Sequence, residues 1–221
     1  MHEFFFGVYP YLCLTILGLG LLFRYLTTPG EWNARSSNLF AKKSLVTGSY
    51  IFHYAIILTF LGHFFGLLTP AWVMGALGVS YKAHLAVAGI FGKILAPCVF
   101  AGLFILLSRR LAVRDVWAST VPMDLVVLLF IMFQSLTGGY QDYMGRSDVL
   151  EVVGSWARGI LACSPEPEVL AEMPLYIKIH IVCGLAIFAL IPFSRLVHFF
   201  SIPLAWFARP AIVYRRRYEN L

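Results

Sequence analysis

Five long apolar stretches set narrow limits on the fold of this chain. Each has about the 20 residues that a helix needs to cross the hydrocarbon core of a bilayer. The composition agrees, because 60% of the 221 residues are hydrophobic, 13% are charged and the mean hydropathy is +0.79. Water-soluble domains are much more polar. We predict a single all-α domain over 1–221, an integral membrane bundle of five transmembrane helices. Their predicted ranges are 5–25, 45–68, 84–107, 121–141 and 175–199.

Prolines near the ends of these stretches indicate where helices begin or bend. Pro122 and Pro174 suit the first turn of the fourth and fifth helices, where the missing N–H is not needed, and Pro192 should bend the fifth. Between these two helices, 149–160 has helical spacing of apolar residues, which predicts a short helix at the membrane interface. The start, Met1-His-Glu-Phe, has no lysine or arginine and so lacks the basic n-region of a signal peptide. We therefore expect the first stretch to be retained as a helix rather than cleaved as a signal peptide.

The chain has a net charge of +6. Its lysines and arginines lie mainly at the ends of the apolar stretches, so this charge does not indicate a nucleic-acid partner. Cytoplasmic connections of membrane proteins carry an excess of these residues. We therefore predict that the N-terminus lies outside and the C-terminus in the cytoplasm, with the acidic connection 142–174 outside. The basic residues on the predicted inner side are Arg24, Arg35, Lys42, Lys43, Arg109, Arg110, Arg114, Arg195, Arg209, Arg215, Arg216 and Arg217. Those on the predicted outer side are Lys82, Arg146 and Arg158.

The four cysteines exclude several kinds of cofactor attachment. Cys13, Cys98, Cys163 and Cys183 form no Cys-x-x-Cys or Cys-x-x-Cys-His pattern. This removes covalent c-type haem attachment and gives no zinc or iron–sulfur signature. Any haem in this chain would therefore be held without a covalent bond.

Four histidines lie inside the second and fifth apolar stretches. His53 and His63 are ten residues apart, and His180 and His198 are eighteen apart, which is five helical turns and should make the latter two face the same way. A histidine in hydrocarbon is costly unless it is paired or bound. One alone would as often make a helix–helix hydrogen bond, but two on each of two helices are what two stacked haems need as axial ligands. Because the two helices run antiparallel, we predict one outer haem on His63 and His180 and one inner haem on His53 and His198.

Three basic residues near these histidines are candidates for further roles. Arg195 lies one turn before His198, where its guanidinium could clamp a haem propionate, although a positive-inside anchor is an equally good interpretation. Lys82 could hydrogen-bond the headgroup of a quinol near the outer haem, or be a plain interfacial lysine. Lys93 lies in the middle of the third stretch, where a charge is costly. It could extend its ammonium group to the interface, pair with a propionate or with Asp124, or lie nearer the end of the helix than the predicted range places it.

The residues around the histidines resemble those of a known family. His53 is followed, after nine residues, by His63-Phe-Phe-Gly-Leu-Leu-Thr-Pro70. Two further segments belong to the pattern, 175–184 around His180 and Pro192-Phe-Ser-Arg-Leu-Val-His198. This pattern is similar to that of the gamma subunit of respiratory nitrate reductase, a dihaem cytochrome b membrane subunit. The likeness covers nearly the whole chain and includes Asp124 early in the fourth helix.

The resemblance implies a function. Members of that family lie in the cytoplasmic membrane of prokaryotes and oxidise membrane quinol near the outer, distal haem. Electrons pass to the inner, proximal haem and then to an iron–sulfur beta subunit and a molybdenum catalytic alpha subunit, which reduces nitrate in the cytoplasm. For this chain it implies two non-covalent haem b groups, the distal one on His63 and His180 and the proximal one on His53 and His198. It also favours Lys82 as a residue of the quinol site.

Other functions stay open on the sequence alone. The nearest is a dihaem subunit of another quinone-linked oxidoreductase, such as the sulfite-reductase-associated or heterodisulfide-reductase-like cytochromes. A transporter with the histidines and Lys93 as a proton relay would need features such as broken-helix repeats and paired intramembrane acids, which the sequence lacks. A bare membrane anchor with structural histidines is a third possibility. Both functions without haem predict a colourless protein.

Overall fold

A computed structural model describes residues 1–28, 32, 42–145 and 148–200, and all regular structure in these residues is helical. Five of its helices are long and apolar enough to cross a membrane, which confirms the predicted all-α class and the five spans. The helices are α1 (Tyr9–Thr27), α2 (Lys42–Leu68), α3 (Ala71–Ala76), α4 (Tyr81–Ala112), α5 (Arg114–Ala118), α6 (Pro122–Met144), α7 (Val149–Leu161) and α8 (Leu175–Leu190). A π-helical turn, Phe4–Val8, precedes α1, and 3₁₀ turns cover Pro167–Leu170, Ile191–Phe193 and Arg195–Phe200.

The fifth span differs most from the prediction. Its α-helix ends at Leu190 and continues as two 3₁₀ turns separated by Ser194, whose backbone is extended (φ −128°, ψ 178°). Pro192 cannot donate to the helical ladder, and the carbonyl of Pro192 instead accepts a hydrogen bond of 2.8 Å from Arg24 Nη1 on α1. The predicted bend at Pro192 is larger than expected, because the α-helix ends before it and His198 lies beyond the break. The expectation that His180 and His198 lie five helical turns apart and face the same way therefore does not hold.

The spanning helices pack in the order α2, α4, α6, α8 and α1. An apolar cluster of Ala55, Val99, Leu103, Val127 and Ile131 joins the first three. The backbones of α2 and α4 come close together at Gly102 on α4, where an added Cβ would lie 2.6 Å from the backbone nitrogen of Phe52 on α2. Since only glycine fits there, α2 and α4 meet backbone to backbone one residue from His53.

The predicted short helix is present as α7, and it fastens one end of the bundle. Trp156 Nε1 donates to the Phe6 carbonyl at 2.8 Å and Arg158 Nη1 donates to the Leu67 carbonyl at 2.8 Å. Trp156 also packs with Phe6, Ile160 and Leu170 in a second apolar cluster. The helix α7 thereby ties the start of the chain to the end of α2. We call this the α7 end of the bundle, and the opposite end, where α5 lies, the α5 end.

Candidate cofactor site

The four histidines of the two apolar spans meet as two pairs of rings. The centroids of His63 and His180 are 6.2 Å apart with an angle of 25° between the ring planes, and those of His53 and His198 are 6.0 Å apart at 64°. The structure thus brings together the same partners that the antiparallel topology predicted. The first pair lies toward the α7 end and the second toward the α5 end, so we call them the α7-side pair and the α5-side pair.

The separation of the rings suits a metal atom between them. Metal–imidazole bonds are about 2 Å long, and each centroid lies a further ~1 Å behind its nitrogen, so two rings on one metal have centroids about 6 Å apart. The two pairs are also well separated, because ten residues of α2 correspond to a rise of about 15 Å. Each pair can therefore hold its own metal.

In each histidine Nδ1 contacts an oxygen of the protein. Three of these oxygens are backbone carbonyls, which only accept hydrogen bonds, so Nδ1 carries the proton and Nε2 keeps its lone pair for a metal. The distances from Nδ1 are 2.7 Å (His53 to Ser49 O), 2.9 Å (His63 to Thr59 O), 2.5 Å (His198 to Arg195 O) and 2.8 Å (His180 to Thr137 Oγ1).

The number of protein ligands restricts the kind of metal centre. Within residues 1–28, 42–145 and 148–200, no three His, Cys, Asp or Glu side chains come together as a cluster that could hold a metal ion. A structural zinc site needs four protein ligands, whereas haem iron is ligated by its porphyrin and needs protein groups only on its axis. The two imidazole nitrogens of each pair fit the axial positions of haem iron.

An ion-pair network is connected to the α5-side pair through Arg195, whose carbonyl contacts His198. Arg195 donates to Asp124 from Nε (2.7 Å) and Nη2 (2.5 Å), and Arg110 Nη1 lies 3.4 Å from the same carboxylate. Asp124 and Arg110 are buried. The guanidinium of Arg195, which the sequence offered as a propionate clamp, is therefore bound to a carboxylate of the protein itself. Asp124 is also unsuited to pair with Lys93, because it already binds two arginines.

The other candidate residues lie toward the α7 end. Lys82 is exposed in the first turn of α4, after the N-cap Ser80. Lys93 lies further along α4, and its charge acts on Asp142, whose carboxylate lies over the backbone of the neighbouring Gly92. Asp142 on α6 is thus an acidic neighbour of Lys93, in place of the predicted Asp124.

Two polar residues of α6, Thr137 and Gln134, contact His180 although they were not predicted from the sequence. Thr137 Oγ1 contacts the ring of His180, and Gln134 Nε2 donates to the His180 carbonyl at 2.9 Å. A signal for both was present, since polar side chains inside a membrane span usually face a polar partner on another helix. Their spacing of three residues places them on one face of α6.

Comparison with known proteins identifies the family. The model of the nitrate reductase gamma subunit family matches residues 2–217. The nitrate reductase gamma chain of Bacillus subtilis is 35% identical over 97% of this chain and 98% of its own length, and the respiratory nitrate reductase 2 gamma chain of Escherichia coli is 34% identical over 98% of each. A Hdr-like menaquinol oxidoreductase cytochrome b-like subunit of Archaeoglobus profundus is 27% identical over 72% of this chain and 46% of its own length. These matches confirm the resemblance inferred from the histidine spacings: the chain belongs to the nitrate reductase gamma subunit family, the membrane subunits of an oxidoreductase.

Proposed function

We propose that this chain is the cytochrome b subunit of a respiratory nitrate reductase, which oxidises membrane quinol near its α7 end and passes the electrons through two haem b groups to partner subunits at its α5 end. The observation that carries the proposal is the pair of ring separations, 6.2 Å and 6.0 Å, on one set of facing helices. Family membership supports it.

The residues of the chain would hold each haem in a fixed orientation. His63 and His180 would ligate one iron and His53 and His198 the other, each through Nε2. Haem iron supplies one-electron chemistry when it is bound, and its potential depends on the hydrogen bonds of its ligands. The Nδ1 bonds to protein oxygens fix the rings and raise the basicity of Nε2, as partners of metal-bound histidines generally do.

Lys82 would take part at the quinol end. It lies at the same end of the bundle as the α7-side pair, and an exposed ammonium group at the start of α4 could donate to a quinol oxygen. In Lys82→Ala we expect kcat/KM for quinol to fall roughly tenfold, the value of one charge-assisted hydrogen bond of about 1.5 kcal/mol, with haem content unchanged. The matched control is Lys178→Ala, since Lys178 donates to the Ala171 carbonyl at the same end. An unchanged kcat/KM in Lys82→Ala would remove this residue from the quinol site.

The partners would be an iron–sulfur beta subunit and a molybdenum alpha subunit on the cytoplasmic side, where nitrate is reduced. This requires the α5 end to face the cytoplasm. The basic residues Arg109, Arg110 and Arg114 at that end support the orientation. Several residues that entered the predicted orientation lie outside the described residues: Arg35, Arg209, Arg215, Arg216 and Arg217 of the inner side and Arg146 of the outer side.

Cys163 offers a direct test of the orientation. It is exposed in the connection after α7, whereas Cys13 is buried and Cys98 and Cys183 lie within spans. A thiol reagent that cannot cross membranes should label intact cells through Cys163 and should fail to label Cys163→Ser. Labelling of Cys163 only after the membrane is opened would reverse the proposed orientation.

The haem assignment is tested by the reduced-minus-oxidised visible spectrum of the purified protein, with haem counting. We expect two low-spin b haems in the wild type, one in His63→Ala, and two in the control His2→Ala, which changes a histidine outside both pairs. A colourless wild-type protein expressed with sufficient haem would refute the electron-transfer function and leave transport or anchoring.

A second candidate function is supported by the likeness to the Archaeoglobus profundus protein. A dihaem subunit of another quinone-linked oxidoreductase would show the same spectrum. The two are separated by the electron acceptor: quinol-reduced haems in membranes should be reoxidised by nitrate only if the first proposal is correct. The subunits that co-purify with the chain give an independent answer.

A further inference from the structure

His180 is held differently from the other three histidines. The Nδ1 atoms of His53, His63 and His198 contact backbone carbonyls three or four residues earlier in the chain. His53 Nδ1 also lies 3.1 Å from the hydroxyl of Ser49, on its own helix. The Nδ1 atom of His180 instead lies 2.8 Å from Oγ1 of Thr137, a side chain on the neighbouring helix α6. One ligand of the α7-side pair is thus oriented by a second helix.

The direction of this hydrogen bond follows from the surroundings of the Thr137 hydroxyl. Oγ1 lies 3.2 Å from the Phe133 carbonyl and 3.1 Å from the Gln134 carbonyl. Either carbonyl can accept the hydroxyl proton, which leaves an oxygen lone pair free for His180. A metal bound at Nε2 requires the ring proton on Nδ1, so Nδ1 of His180 is then the donor and Thr137 Oγ1 the acceptor.

Two other residues of α6 complete the setting of His180. Gln134 donates to its backbone carbonyl at 2.9 Å. Gly138 leaves room for its ring, because a Cβ at that position would lie 3.0 Å from His180 Cε1. Residues 134, 137 and 138 lie within about 100° of rotation around α6, so a single face of α6 contacts both the backbone and the ring of His180.

We propose that Thr137 is a positioning residue that sets the reduction potential of the haem on the α7-side pair. This rests on the proposed function, since it takes His180 as an axial ligand. A hydrogen bond accepted from Nδ1–H makes the imidazole a stronger donor to the metal and favours the oxidised iron. Because the acceptor is a side chain, substitution can remove it, whereas the carbonyls that serve the other three histidines remain in any variant.

The test is potentiometric titration of both haems in membranes that contain the complete complex. Thr137→Val keeps the shape of the side chain but removes the acceptor. In this variant we expect the α7-side haem to become easier to reduce, with its reduction equilibrium constant raised about tenfold. That change corresponds to a rise in its reduction potential of about 59 mV for one electron. The α5-side haem should keep its potential. Thr137→Ser, which restores the hydroxyl, should restore the wild-type value.

Thr59→Val is the matched control. Its hydroxyl donates to the Ala55 carbonyl at 2.8 Å, while the Thr59 carbonyl, which the substitution retains, serves His63. This variant loses an equivalent hydroxyl beside the same pair and should leave both potentials unchanged. The low-spin electron paramagnetic resonance signal of the α7-side haem should likewise change in Thr137→Val and return in Thr137→Ser.

The outcomes separate this inference from the proposed function. A colourless wild-type protein would overturn both. If the wild type holds two haems, three results would overturn the role of Thr137 alone. These are an unshifted α7-side potential in Thr137→Val, an equal shift of both haem potentials in that variant, and an equal shift of the α7-side potential in Thr59→Val.

Discussion

The α7-side pair and the α5-side pair have nearly equal ring separations but are held by different forces. At the α5 side, His198 donates to the carbonyl of Arg195, and the guanidinium of Arg195 is bound by the buried carboxylate of Asp124. At the α7 side, His180 is held by the neutral hydroxyl of Thr137. One pair therefore depends on an ionic contact and the other on neutral hydrogen bonds between helices.

This difference means that each site can be damaged without the other. Removing one partner of a buried ion pair leaves an uncompensated charge and is costly, whereas the loss of one neutral hydrogen bond costs about 1 kcal/mol. We expect variants at the α5 side to have the larger effects on haem binding and stability. Variants at the α7 side should mainly change potentials.

The largest effect is expected from Asp124→Ala. It leaves Arg110 and Arg195 without their carboxylate, which should lower the free energy of unfolding by about 3–5 kcal/mol and release the segment that carries His198. Haem counting should show loss of the α5-side haem with the α7-side haem retained.

Two further variants make the Asp124 result interpretable. Asp115→Ala removes an exposed carboxylate from α5 at the same end and should keep both haems. Asp124→Asn keeps the shape and should give the same selective loss in a milder form. Equal loss of both haems in Asp124→Asn would show that the two sites are not independent.

A smaller effect is expected from Gly102→Ala. Its Cβ would meet the backbone of Phe52, which cannot move without shifting α2, so we expect a loss of about 1–3 kcal/mol and weaker binding of the haem on His53. Thermal unfolding followed by haem absorbance measures both. Gly89→Ala on the same helix is the control, because a Cβ there has no neighbour within 4 Å, and it should be neutral or slightly stabilising. Similar destabilisation by both substitutions would argue against the close approach.

The smallest effect is expected from Trp156→Phe. The substitution keeps an aromatic ring but removes the donor to the Phe6 carbonyl, which should cost about 1 kcal/mol and loosen only the α7 end. The rate of haem loss on heating should rise for the α7-side haem alone. Trp117→Phe is the control, since it makes the same chemical change at a half-exposed tryptophan and should leave the rates of haem loss unchanged. A faster loss of the α5-side haem in Trp156→Phe would contradict the assignment of α7 to one end of the bundle.

Much of this architecture follows from the sequence because hydrocarbon allows so few arrangements. Apolar length predicted the five spans, and the spacing of apolar residues predicted α7. The exact end of α8 was not predictable, because the consequence of Pro192 depends on Arg24, which donates to its carbonyl from another helix. The contact of Thr137 with His180 depends on the rotation of α6 against α8, about which an apolar span carries little information.

Each histidine pair joins α2 to a residue near the end of the described chain, His180 in α8 or His198 beyond it. During synthesis the ribosome therefore makes one half of both sites early and the other half only after four spans have been translated. The α7-side pair becomes complete first and the α5-side pair last. A chain that stops before α8 has neither pair, so bound haem would report that translation has reached α8.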